Sequence, residues 1–185
     1  MPGLLRTIAY DVRRKAKWCY QSSGWKSCVK TLLSDGTSAM IIYRLMQWSG
    51  RCRLVPLEML FNKINVIFNN CIIGRGADFG PGFVLIHATG VVINGRVRGG
   101  SHVMIEHQVT VGAEERRSPV IGNDVFIGAG AKLVGDITIG DGARIGVNAG
   151  VIYDVPPYAT AAGNPARIIG LRGFAESRAG GTAAN

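Results

Sequence analysis

From Ile73 onward an aliphatic or aromatic residue returns every sixth position: Ile73, Phe79, Leu85, Val91, Val97, Val103 and Val109, then Ile121, Ile127, Leu133, Ile139, Ile145 and Val151. Small or modest side chains recur four places later, as at Ala77, Thr89, Gly95, Ser101, Ala131, Ala143 and Ala149. A period of six matches neither the 3.6 of a helix nor the 2 of a half-buried strand. One short strand and one corner per hexapeptide, three to an 18-residue coil, would stack the apolar residues inside a triangular prism. The 84 residues from 73 to 156 hold fourteen such units, which predicts a mainly β parallel helix of four to five coils. The beat fails once, at Glu115, and resumes in phase, so Ala113 to Pro119 reads as a loop that leaves the coil and returns. Val155-Pro156-Pro157-Tyr158 ends the repeat, because proline cannot donate to a strand ladder.

Residues 1–70 carry a different pattern. Leu4 to Trp18 and Ser38 to Ser49 have helical apolar spacing, Asp35-Gly36 marks a turn, and Pro56 precedes a third helical stretch from Leu57 to Phe68. The chain divides into a helical N-terminal domain of about three helices (1–70), a β-helix domain (71–170) and a flexible tail rich in Gly, Ala and Ser (171–185).

Composition sharpens this picture at three points. The 26 glycines follow no collagen period and so belong to corners. The formal charge of +9 sits in front: residues 1–70 hold 11 Lys/Arg against 3 Asp/Glu, a net +8, and residues 71–185 hold 10 against 9, a net +1. That basic front reads as a solvated helical face or as a peripheral contact with an anionic inner-membrane surface; no recognition motif accompanies it, so nucleic acid is not expected as a partner. With no apolar run of about 18 residues and no secretory signal, the expected location is the cytoplasm. Cys19, Cys28, Cys52 and Cys71 have neither zinc nor disulfide spacing and read as four buried, reduced thiols, with no metal site.

Four stretches carry the chemistry: Leu85-Ile86-His87-Ala88-Thr89-Gly90-Val91-Val92-Ile93, Val109 to Gly112, Ile121 to Lys132, and Ala162-Gly163-Asn164-Pro165-Ala166-Arg167-Ile168. Together with Tyr43-Arg44-Leu45 and Trp48, they resemble the bacterial serine acetyltransferases over about residues 37–170. The resemblance implies a left-handed parallel β-helix, an acetyl-CoA-dependent O-acetyltransferase and a homotrimer with the donor between prisms. It carries CoA contacts over to Gly112, Ala129, Val147 and Arg167. The spacing 147 − 129 = 18 independently puts the middle pair on one column, where small residues let a pantetheine arm approach the backbone.

His87 is the candidate base, since imidazole titrates near neutrality and the reaction must remove a hydroxyl proton. No Ser or Cys lies in a nucleophile elbow, so direct transfer in a ternary complex is expected. The spacing 103 − 85 = 18 stacks the unit at Val103 on the unit at Leu85 and brings His107 near His87, to bind the acceptor or polarise the thioester carbonyl. Glu106 or Asp78 is a candidate to orient His87, and His102 reads as a surface residue.

Departures from the family fall on the acceptor side. Ile86 stands where an aspartate precedes the catalytic histidine, Ile72 replaces a second aspartate, and the loop's Arg-His pair becomes Arg117-Ser118. Glu106, Arg117 and Ser118 are therefore the acceptor-side candidates. Losing partners for serine's charged groups points to a saccharide hydroxyl of a capsule or exopolysaccharide as acceptor. Serine acetylation in cysteine synthesis is the rival, and a non-catalytic β-helix scaffold is the reading from another class.

Overall fold

A computed structural model describes residues 3–171; the expected tail beyond Leu171 lies outside the described residues. Four helices come first: α1 (Leu4–Tyr20), α2 (Trp25–Leu32), α3 (Thr37–Arg51) and α4 (Val55–Asn69). Three of them fall where the apolar spacing put them. The addition is α2, whose eight residues include Lys26 and Lys30 and whose N-cap, Gly24, gives no side-chain cap, so nothing conspicuous marks it in the sequence.

The remaining chain winds into coils of three strands. The first holds β1 (Ile72–Ile73), β2 (Asp78–Phe79) and β3 (Val84–Leu85); the second β4 (Val92–Ile93), β5 (Arg98–Gly99) and β6 (Met104–Ile105). The third holds β7 (Thr110–Gly112), β8 (Val120–Ile121) and β9 (Phe126–Ile127); the fourth β10 (Lys132–Val134), β11 (Thr138–Ile139) and β12 (Arg144–Ile145). A fifth coil opens with β13 (Gly150–Val151), bridges Ile139 through Val155, and closes with β14 (Ala159–Ala162) hairpinned to β15 (Arg167–Leu171). Stacked coils make three sheets, β1-β4-β7-β10-β13, β2-β5-β8-β11 and β3-β6-β9-β12-β14-β15, parallel throughout except for the last pair. This is a left-handed parallel β-helix of hexapeptide repeats.

The register corrects one step of the sequence reading. Leu85 pairs with Ile105, twenty residues on, not with Val103. Two extra residues sit in the corner after β3, so Leu85 is followed by Ile93 on the next side; four more sit between Val111 and Ile121. Because 2 + 4 = 6, the beat returns to phase. Val91 and Ile93 are both buried, as are Val109 and Val111, so each side buries a strand residue and the residue two places before it. That double layer conceals the first insertion from a search at period six.

The helices close the open end of the prism. Met40, Tyr43 and Met46 of α3 join the prism's own apolar cluster, and Tyr43, Phe79 and Phe83 pack with ring centroids 4.5–6.2 Å apart. Without such a cap the first coil would expose its apolar face to water. Polar bonds fix the cap's orientation. Arg44, fully buried, donates from Nε to Asp11 Oδ2 (2.6 Å) and from Nη1 and Nη2 to the carbonyls of Phe79 (2.8 Å) and Gly80 (2.6 Å). Asp11 Oδ1 accepts from the Gly82 N–H at 2.7 Å. Burial raises the Asp11 carboxyl above its ordinary range, against the pull of Arg44. Removing either partner would strand a buried charge, at a cost of about 3–5 kcal/mol.

Of the four thiols only Cys71 is buried, and burial pushes it up to about 12; Cys19 and Cys52 are exposed and Cys28 is partly so. The expectation of four buried thiols fails because Cys19 and Cys52 fall at helix ends.

Candidate active site

The two-residue insertion after β3 lies in the corner that His87 opens. The corner His87 to Val91 is longer than the corner beneath it, His107 to Val109, and it stays in register because Gln108 N–H donates to Thr89 O (2.9 Å) and Gly130 N–H to His107 O (2.9 Å). One coil lower, Asn148 N–H donates to Ala129 O at 2.8 Å. His87, His107, Ala129 and Val147 therefore descend a single edge of the prism. At roughly 4.8 Å per coil this edge runs about 14 Å from the first to the last. The rings of His87 and His107 lie 5.9 Å apart, at 77° to each other.

The helical region supplies the third group. The turn between α2 and α3 places Asp35 Oδ2 3.0 Å from His87 Nδ1. It can approach because the next residue is Gly36, at φ +78, where a Cβ would come within 2.6 Å of the Leu85 carbonyl. Lys15 on α1 lies beneath, buried, its Nζ donating to the Asp35 carbonyl. Burial lowers its ammonium to about 8. A carboxylate only accepts, so Nδ1 carries the proton shared with Asp35 and the lone pair of neutral His87 is on Nε2. Nε2 makes no hydrogen bond among the described residues.

Neither expected carboxylate orients His87. Glu106 Oε2 sits 3.7 Å from His107 Nδ1, and Asp78, on β2, accepts from Arg51 (2.9 Å) and Gln47 (2.5 Å). Asp35 was visible in the sequence as half of a turn signal, but its placement depends on how α3 caps the prism, which no periodicity reports. Ile86 is buried, 7% exposed, and Ile72 is 44% exposed, so the two positions where the family places aspartates bring no charge to His87. His102, expected on the surface, is half-buried between Tyr10 and Asp124 on another edge.

Other expected residues divide by edge. Gly112 closes β7, at the far end of that strand from His107. Arg167 follows the turn that packs under Gly150 (Gly150 N–H to Gly163 O, 2.9 Å; Ala166 N–H to Gly150 O, 2.8 Å), at the foot of the β-helix, with its guanidinium 6.0 Å from the Tyr153 ring centre. Arg117 and Ser118 belong to the loop between β7 and β8, a different edge, where Arg117 donates to Asp136 (2.7 Å) and Ser118 lies 3.1 Å from Asn94 Oδ1. Within one chain they do not join His87.

Comparison with known proteins decides the family. Residues 118–152 match bacterial transferase hexapeptide (six repeats). The serine acetyltransferase of Helicobacter pylori strain 26695 is 36% identical over 142 residues, which cover 75% of this chain and 83% of that enzyme. This chain belongs to the serine acetyltransferase family. It is an acetyl-CoA-dependent acyltransferase. The Salmonella typhimurium serine acetyltransferase is 40% identical over 147 residues, covering 77% of this chain and 54% of that longer enzyme. The Vibrio cholerae serine acetyltransferase structure superposes with a TM-score of 0.85 at 33% identity, over 94% of this chain and 68% of that one. A serine acetyltransferase in complex with CoA gives 0.83 at 32% identity, over 91% and 70%. These likenesses are to serine acetyltransferases and lend no support to the expected capsule or exopolysaccharide acceptor.

Proposed function

We propose that this enzyme transfers acetyl from acetyl-CoA to the hydroxyl of serine, with His87 as general base. The observation that carries the reading is the His87–Asp35 pair, which holds Nδ1 at 3.0 Å and leaves Nε2 open above His107 on an edge whose lower steps are short side chains. The relatives' activity moves the acceptor from a saccharide to serine.

The residues suggest the following sequence. His87 Nε2 takes the serine hydroxyl proton as the oxygen attacks the thioester carbonyl. Asp35 stabilises the imidazolium while the tetrahedral adduct exists, and His107 donates toward its oxyanion. Collapse breaks the C–S bond, and the proton held by His87 passes to the departing thiolate. Ala129 and Val147 leave the edge open for the pantetheine arm, Gly112 borders sheet β1-β4-β7-β10-β13, and Arg167 offers charge to the phosphates. Asp35 and Glu106 stand where a serine ammonium can be met, in place of the charges absent at Ile86 and Ile72.

Arg117 and Ser118 fit this reading in a trimer, where a neighbour's loop can close the site that its own chain leaves open. Light scattering checks this: about 59 kDa is expected, three times the 19.7 kDa chain, and a monomer with full turnover contradicts it. The apolar, buried Ile86 beside the base keeps a neutral saccharide hydroxyl as the second reading. Initial rates of CoA release with L-serine and with a panel of sugars separate the two. Saturable turnover with millimolar serine and formation of O-acetylserine support the proposal; turnover with sugars alone overturns it.

A further inference from the structure

We propose that α1 and α2 form a face that docks on an anionic lipid bilayer. The two helices enclose an open groove of about 500 Å³, with Leu5, Ile8 and Val12 from one side and Trp25, Val29 and Leu32 from the other. Its rim stays in water: Leu5 is 80% exposed, Trp25 74% and, just past α2, Leu33 88%. A patch of large apolar side chains this exposed marks a contact surface.

Charge identifies the occupant. Arg13 lines the groove, Arg6, Lys26 and Lys30 are exposed elsewhere on the same two helices, and the only acid before residue 35 is Asp11, which is buried and bonded to Arg44. A second copy of this chain would set like charges against each other. A protein partner would have to match a cationic rim and an apolar centre together, whereas an anionic headgroup layer above acyl chains presents both over any area. Tryptophan and leucine between lysines and arginines is the side-chain set of interfacial helices. Among the described residues no helix is long and apolar enough to cross a membrane, so the contact lies in the interface plane. This surface involves none of the residues assigned to acetyl transfer.

The test is sedimentation of the full-length protein with vesicles of phosphatidylcholine alone and of phosphatidylcholine mixed with phosphatidylglycerol, at low and high salt. Binding is expected only to the mixed vesicles and to weaken with salt. Brominated acyl chains should quench tryptophan fluorescence, and Trp25→Phe should remove most of that quenching. The double variant Lys26→Glu, Lys30→Glu should lose about 25-fold or more in partitioning, at about fivefold per cation removed, and Trp25→Ser with Leu32→Ser should also release the protein. Unchanged acetyl transfer in solution shows that these variants fold. Equal binding to uncharged vesicles, no binding to either kind, or variants that bind like the parent would overturn the proposal. So would binding without quenching that soluble DNA competes away, which would mark a polyanion surface instead.

Discussion

His87 and His102 stand on two edges of one prism, and each has a carboxylate at Nδ1: Asp35 at 3.0 Å and Asp124 at 3.1 Å. What separates them is the other nitrogen. His102 Nε2 is bonded to the Tyr10 hydroxyl at 2.9 Å, the two rings lie 5.9 Å apart, and Arg14 approaches Asp124 at 3.6 Å, so that group fastens α1 to the prism. At His87 the helical region also supplies the partner, yet it takes only Nδ1, and the ring of a second histidine lies 5.9 Å away. A histidine–carboxylate pair is therefore no mark of catalysis by itself; what sets His87 apart is that its Nε2 makes no hydrogen bond among the described residues.

Exchanging the roles of the two histidines would break this comparison outright. His87→Ala is expected to lower kcat by about 10²–10⁴-fold, while His102→Ala leaves kcat within a few-fold and lowers Tm; similar losses in both would end the distinction. Next comes the pair of carboxylates. Asp35→Asn should cost roughly 10–10²-fold in kcat, because a misdirected base loses alignment, and Asp124→Asn should leave turnover unchanged. Steady-state rates at saturating donor read both. Tyr10→Phe removes one hydrogen bond at the His102 edge and should lower stability by about 1 kcal/mol without touching kcat, as denaturant melts will measure.

The smallest effect comes from Lys15, under the Asp35 turn. Its folded pKa of about 8 lies below the unfolded 10.5, so the folded state holds fewer protons in that window and stability rises with pH. Above the ordinary thiol pKa of 9, Cys71 works in the opposite sense, because the folded chain keeps a proton that the unfolded chain loses. A rise in Tm between pH 8 and 9, absent in Lys15→Met, is the expected signature; a flat profile in the parent contradicts it.

How much of this could be read from the chain depended on whether the signal was local. The six-residue beat reports burial inside each coil, so the prism and its four-and-a-part coils were legible, as was the loop that holds Arg117. The nearness of His87 and His107 was also legible, but through an 18-residue step where the real one is 20. Residues 87 and 107 nonetheless begin the two stacked corners, and the step counted from Val103 took the residue two places before the strand partner Ile105 for the partner itself. Asp35 and the Arg44–Asp11 bond were not legible. They join residues 52 and 33 positions apart through the docking of helices, and docking leaves no period in the sequence. The missed α2 has the same cause, since eight residues without a side-chain cap draw their helical stability from packing on α1.

A crystal structure of the protein with CoA bound tests the assignment of His87 most directly. The sulfur is expected beside His87 and His107, the pantetheine arm descending past Ala129 and Val147, and the phosphates toward Arg167. A CoA seated in the cleft at His102 and Asp124, or along the edge that carries Arg117 of the same chain with its sulfur away from His87, would contradict it.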